Sequence, residues 1–167
     1  MIDIYSFLDR HGIIYQKFEH PAVFTCEEAE RLYPPMPGAH TKNLFLRDRK
    51  GTRHLFVVVG YEKKVDLKKL VDVCGVDKLS FASPDRLMKY VGVEPGSATL
   101  LGMVNDTDHA VEVFIDESVW KAESMLCHPL VNTATLSISH EGIDKFLQAT
   151  GHVFKVIQVP ERASEPS

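Results

Sequence analysis

The sequence predicts an α+β fold in a single domain: a mixed, mostly antiparallel curved sheet with flanking helices. Three observations predict it. Strand-like runs outnumber what a simple strand–helix alternation would supply. The helical stretches are short, and most carry their own start or stop signal. The chain of 167 residues is 44% hydrophobic and 25% charged, which suits one buried core.

Residues 3–11 read as a helix, with Ile4, Phe7, Leu8 and His11 near one face and Gly12 at its end. Residues 14–18 look extended. Thr25-Cys26-Glu27-Glu28 forms a capping box that starts a helix to about Tyr33. Pro34-Pro35-Met36-Pro37-Gly38 ends it in a stiff loop. Residues 43–47 and 54–60 are strand-like, and Asp48-Arg49-Lys50-Gly51 supplies the hairpin turn. Asp66 caps a helix to about Cys74, closed by Gly75. Leu79-Ser80-Phe81 is a brief strand. Ser83-Pro84 opens a helix that ends near Tyr90. Met103-Val104 and residues 110–115 are expected as strands. Residues 133–139 alternate, with Ala134, Leu136 and Ile138 on one side. Ser139 caps a last helix to Thr150, stopped by Gly151, and residues 153–159 form a final strand.

Several function classes are disfavoured at once. There is no apolar run of about 18 residues, so no membrane span is expected. Met1-Ile2-Asp3-Ile4 lacks the basic and apolar regions of a secretory leader. Cys26, Cys74 and Cys127 are odd in number and far apart, which reads as free thiols in a reducing, cytoplasmic setting. Residues 1–160 are expected to form the domain and 161–167 a mobile polar tail. The formal charge is −4, yet residues 42–69 hold nine Lys/Arg against three Asp/Glu. Arg47, Arg49, Lys50, Arg53, Lys63, Lys64, Lys68 and Lys69 could steer a phosphate chain, or could simply be the solvated side of a helix and its entry turn.

The candidate chemistry is sparse. Eight His and three Cys contain no HxxxH or CxxC spacing, so no metal is expected. Cys26 lies in a first helical turn, where a thiol pKa can fall, but no Cys-enzyme signature accompanies it. Gly92-Val93-Glu94-Pro95-Gly96-Ser97 admits two readings. It can be an ordinary type II turn with Pro95 and Gly96 at its centre. It can also be a nest in which Gly96 takes unusual backbone angles and successive amides face one anion. Lys42 precedes a strand-like run and His128 precedes a proline, so each could sit at the mouth of a site.

Five segments together resemble the bacterial prolyl-tRNA-editing superfamily, the YbaK/aminoacyl-tRNA synthetase-associated domain. They are His20-Pro21-Ala22-Val23-Phe24-Thr25, Thr41-Lys42-Asn43-Leu44-Phe45-Leu46, Gly92-Val93-Glu94-Pro95-Gly96-Ser97, Leu101-Gly102-Met103-Val104-Asn105-Asp106 and His128-Pro129-Leu130-Val131-Asn132-Thr133. The chain is most similar to the freestanding ProX/PrdX-type deacylases. The resemblance implies the YbaK-like α+β fold and a trans-editing hydrolase that clears mischarged tRNA(Pro), alanine first. It puts Lys42, Gly96, Ser97 and His128 in the catalytic set. It places Thr25, Asn43, Gly92, Pro95, Thr99 and Asn132 around the substrate. It implies no cofactor and no metal, the acceptor end of aminoacyl-tRNA as partner, a transient contact with prolyl-tRNA synthetase, and neither membrane nor DNA. Thr99-Leu100 departs from the family's usual Thr-Pro and bears on the pocket floor.

An aminoacyl ester is already activated, so hydrolysis needs a placed water and a stabilised oxyanion rather than a strong nucleophile. Amides near Gly96 and Ser97 suit the oxyanion. Lys42 suits a terminal phosphate or ribose. His128 orients the ester end or shapes the pocket wall. The resemblance implies that the tRNA's own ribose hydroxyl helps activate the water. A pocket can exclude proline by size, whereas a single methyl is worth only about 1–3 kcal/mol. Two alternatives stay open: clearance of another amino acid such as cysteine or serine, and a non-catalytic tRNA-binding or synthetase-associated module.

Overall fold

The computed structural model describes residues 3–20 and 38–162. Helix α1 (Ile4–Arg10) starts at Asp3, whose carboxylate accepts the Tyr5 and Ser6 amides, and it buries Ile4 and Leu8. Strand β1 (Tyr15–Glu19) follows. The helix expected over residues 25–33, the Pro-rich loop up to Pro37, and the sites expected at Thr25 and Cys26 lie outside the described residues.

Strands β2 (Thr41–Arg47) and β3 (His54–Gly60) form the expected hairpin in unbroken antiparallel register, from Thr41 opposite Gly60 to Arg47 opposite His54. The Asp48 carboxylate fixes the turn by accepting the Thr52 and Arg53 amides at 2.9 and 3.1 Å. Those bonds, the Arg53 amide foremost, hold it below the usual carboxylate range. Helix α2 (Leu67–Cys74) runs from the Asp66 cap to Gly75, left-handed at φ 70°. Strand β4 (Ser80–Phe81) and helix α3 (Pro84–Tyr90, capped by Ser83) also stand where the sequence put them.

The segment expected as a strand at Met103-Val104 is instead a 3-10 helix, Leu100–Asn105. Thr99 Oγ1 accepts the Leu101 amide at 3.2 Å and starts it. Leu100, Leu101, Gly102, Met103 and Val104 are all buried, so no periodicity marks the element. Gly102 packs so closely on Val91 that any Cβ would overlap its Cγ1.

Strand β5 (Val111–Asp116) leads into two elements that the sequence reading missed, helix α4 (Glu117–Trp120) and strand β6 (Ser124–Cys127). Strand β7 (Ala134–Ser139), helix α5 (His140–Thr150) and strand β8 (Phe154–Ile157) complete the order. The strands form two sheets rather than one: β1-β7-β6, and β4-β2-β3-β5-β8. Four of the strand pairings are antiparallel; β3–β5 and β5–β8 are parallel.

Alternation along the five-stranded sheet supplies two cores. Phe45, Phe56, Val58, Val113 and Ile115 face a large core shared with the three-stranded sheet, α1 and α5. Leu46, Leu55, Val57, Val59 and Phe114 face a smaller one under α2. Strand β3 is therefore almost wholly apolar and buried, as a central strand covered on both faces must be. Beyond β8 the chain stays anchored: Glu161 bridges to Val65, and the Arg162 amide donates to the Lys64 carbonyl at 2.7 Å. The first two residues of the expected tail thus pack on the domain.

Candidate active site

Residues 39–43 form the spine of the site. The Ala39 amide donates to the Ser124 carbonyl at 2.9 Å, and the Leu126 amide donates back to Ala39 at 3.1 Å. Thr41 Oγ1 donates to the Leu126 carbonyl at 3.3 Å. Asn43 Nδ2 donates to the Ala98 carbonyl at 3.1 Å. Thr41 and Asn43 share a face of β2, so β6 and the Gly/Pro loop meet it about 7 Å apart, one two-residue repeat. The chain leaves β6 directly into His128-Pro129, so both motif loops are tied to β2, one through Leu126 and Thr41 and the other through Ala98 and Asn43.

The Gly/Pro loop begins where α3 stops. Gly92 has φ +75°, and a Cβ there would come within 2.6 Å of Asn105 Nδ2. That same nitrogen donates to the Val91 carbonyl at 2.9 Å. Gly92 is thus demanded twice, by backbone angle and by space. Pro95–Ser97 is a 3-10 turn preceded by extended Glu94. This corrects both sequence readings of the loop: it is not a type II turn, and Gly96 is not among the glycines with positive φ. The Ser97 amide donates to the Glu94 carbonyl at 2.9 Å and the Ala98 amide to Pro95 at 3.4 Å. Pro95 has no N–H, so Gly96 carries the one amide of the turn without an acceptor inside it. The expected pair of oxyanion donors, Gly96 and Ser97, is reduced in this geometry to Gly96. Ser97 itself is buried.

His128 is half-buried, and its Nδ1 lies 3.1 Å from the Ala134 carbonyl. A carbonyl only accepts, so Nδ1 bears the proton and Nε2 keeps its lone pair. Burial holds the imidazole below the ordinary histidine value; His20 adds to this and the Ala134 bond opposes it. The turn from His128 back into β7 is tight. Leu130 takes φ +69°, an unusual angle for a branched side chain, and Asn132 is half-buried beyond it.

The remaining predicted residues are placed as follows. Lys42 is half-buried and shares its face of β2 with Leu44 and Leu46, the face opposite Asn43. Thr99 is fully buried and serves as the cap of the 3-10 helix. The basic segment does not form one face. Arg47, Arg49 and Lys50 lie at the hairpin turn, about 17 Å along β2 from Lys42. Arg53 binds both Glu112 oxygens at 2.8 and 2.7 Å and donates to the Gly75 carbonyl at 2.8 Å. Lys63 pairs with the buried Asp116 at 2.8 Å and donates to the Val159 carbonyl at 2.9 Å. These two cations are engaged in pairs that hold the fold together. Lys64, Lys68 and Lys69 stand beside the Lys42 end of the hairpin. Burial pushes the Cys74 thiol up to about 11 and Cys127 to about 12, so neither is a thiolate nucleophile at neutral pH.

One residue at the site had no role in the sequence reading. His20 is buried, with Nε2 2.8 Å from Thr135 Oγ1, and its ring meets that of His128 edge-on at 6.5 Å. A usable signal was present: both histidines directly precede a proline.

The family model for the aminoacyl-tRNA editing domain matches residues 20–146. The chain is 41% identical over 152 residues to the prolyl-tRNA editing protein ProX of Acetoanaerobium sticklandii, covering 91% of this chain and 93% of that one. It is 36% identical over 138 residues to the prolyl-tRNA synthetase associated domain-containing protein 1 of Mus musculus, covering 80% and 81%. The solved structure of a candidate trans-editing enzyme for prolyl tRNA synthetase superposes with a TM-score of 0.71 at 19% identity, covering 96% of each chain, and shares the fold. With its motif loops gathered on β2 and this likeness running through nearly its whole length, the chain belongs to the aminoacyl-tRNA editing domain family.

Proposed function

We propose that this protein is a trans-acting deacylase that clears a wrongly attached amino acid, alanine first, from tRNA(Pro). The convergence of the His128 loop and the Gly/Pro loop on one face of β2, through Thr41 and Asn43, carries the reading. Water adds to the aminoacyl carbonyl, the carbon–oxygen ester bond breaks, and the proton goes to the departing ribose oxygen. The Gly96 amide is the donor suited to the oxyanion. The neutral His128 offers Nε2 as acceptor to the water or to a ribose hydroxyl. Lys42 supplies its charge from the other face of β2, near the start of the strand, for the terminal phosphate. Asn43 and Gly92 act by fixing the loop, while Pro95 and Asn132 border the substrate.

The acceptor stem is assigned to the Lys42 end of the β2–β3 hairpin, where Lys64, Lys68 and Lys69 add charge. Arg47, Arg49 and Lys50, at the far end, contribute through long-range steering.

A panel of Ala-, Cys-, Ser- and Pro-charged tRNA(Pro) incubated with purified protein tests this. Fastest release of alanine, with proline retained, is expected. Preference for cysteine or serine would replace the substrate and keep the reaction. Failure to hydrolyse any of them, with binding retained, would favour a non-catalytic synthetase-associated module, the reading suggested by the name of the mouse relative.

A further inference from the structure

We infer that His20 is a positioning residue for His128, the two imidazoles being hung side by side from the first turn into β7. Only the kinetic consequence of this inference rests on the deacylase reading. Three successive residues hold the pair. The Thr133 carbonyl accepts the His20 amide at 3.0 Å. The Ala134 carbonyl accepts the His128 Nδ1–H at 3.1 Å. Thr135 Oγ1 lies 2.8 Å from His20 Nε2. Any shift of His20 is therefore passed through one residue of backbone to the carbonyl that sets the His128 tautomer.

The rings reinforce this. Their planes stand at 65° with centroids 6.5 Å apart, an edge-to-face arrangement. His20 is 8% exposed, so its ring forms a solid wall beside His128. The proline after each histidine disfavours helical backbone and keeps both chains extended into the contact. Strand β2 turns Thr41 and Asn43, both uncharged, to this face. Strand β6 ends in Cys127, whose thiol is pushed up to about 12 and stays neutral. Among the described residues, His20 is the group whose charge acts on His128. A charge on one imidazole this close disfavours protonation of His128.

The experiment is nitrogen-15 NMR of the histidine side chains in the full chain without substrate, read alongside steady-state deacylation. In the wild type, His128 is expected as the Nδ1–H tautomer. His20→Ala is expected to raise the His128 titration midpoint and to mix its tautomers. His20→Phe, which keeps a ring against His128 but loses the Thr135 bond, is expected to raise the midpoint and to mix the tautomers less than His20→Ala does. Thr135→Val, which removes only the hydroxyl, is expected to mix the tautomers. With Ala-tRNA(Pro), His20→Ala should lose about tenfold in kcat with little change in KM, a cost typical of slight misplacement, and His20→Phe should recover part of it. An unchanged His128 midpoint and tautomer in folded His20→Phe and Thr135→Val proteins overturns the inference. If the wild type hydrolyses no aminoacyl-tRNA, the deacylase reading fails, and the NMR comparison still decides the role of His20.

Discussion

Asn43 Nδ2 donates to the Ala98 carbonyl across 3.1 Å and so fastens the Gly/Pro loop to the strand that holds β6 through Thr41. The sequence pointed to Asn43 as a substrate contact. In the structure its side chain bonds the loop backbone itself.

Asn43→Leu removes this donor and leaves the Ala98 carbonyl unpaired. The cost in stability is expected at about 1 kcal/mol, since the bond is only partly buried. The loss in deacylation should be much larger than that figure implies, because the Gly96 amide moves with the loop. A denaturant midpoint and a single-turnover rate, measured on the same preparation, check the contrast. Proportionate losses in both would reduce Asn43 to an ordinary structural bond.

Gly92 and Gly96 should respond in opposite ways. Gly92→Ala meets a positive φ and the Asn105 amide at 2.6 Å, so it is expected to cost about 1–3 kcal/mol. Gly96→Ala sits in a 3-10 turn whose angles alanine tolerates, so its melting temperature should hold. Any activity lost in Gly96→Ala then reports substrate passing close to the backbone. Calorimetry on the two variants separates them.

Much of the framework was legible in local signals. Asp66, Ser83 and Ser139 cap the helices they were expected to cap, and Gly75 and Gly151 close theirs in the left-handed conformation. The failures share a cause: the deciding interaction was not local. Residues 100–105 are buried all round, which erases the period that tells helix from strand. Strand β6 has only four residues and exists through its pairing with β7 and with Ala39. Pro95-Gly96 fits two turn types that share the Glu94–Ser97 bond, and the next bond, from the Ala98 amide to the Pro95 carbonyl, marks the 3-10 form. A count of charges in residues 42–69 could not show that Glu112 and Asp116 already hold Arg53 and Lys63.

That pairing separates the lysines. Lys63→Met strands the buried Asp116 carboxylate and is expected to destabilise the fold by about 3 kcal/mol, with KM for tRNA unchanged in the remaining folded protein. The triple change Lys64→Ala, Lys68→Ala, Lys69→Ala should leave the melting temperature nearly intact, raise KM for tRNA and flatten its salt dependence. Hydrolysis of a small aminoacyl-nucleotide mimic should be unaffected by the triple change. If the triple variant binds tRNA with the wild-type salt slope, the acceptor stem lies elsewhere.

Stability should fall on mild acidification. Burial, with Arg86 adding to it, holds His54 below its ordinary value of 6.5, and burial does the same for His128. The unfolded chain therefore takes up protons on these groups before the folded protein does. The contribution is complete above about pH 6.5 and is lost as pH falls from there toward the folded values. Melting temperatures at about pH 7.5 and about pH 5.5 should show the drop, and His54→Gln should shrink it. A melting temperature that rises over this interval would contradict the assignment.

The most direct test of the site is single-turnover hydrolysis of Ala-tRNA(Pro) by the wild type and by His128→Ala and Lys42→Ala, each shown to be folded. The wild type should release alanine well above the buffer rate and leave Pro-tRNA(Pro) intact. Lys42→Ala should lose at least about a hundredfold and His128→Ala a smaller but clear factor, if the first places the terminal phosphate and the second orients the ester. Wild-type release at the buffer rate, or release undiminished in both folded variants, would contradict the claim that these loops form a deacylase site.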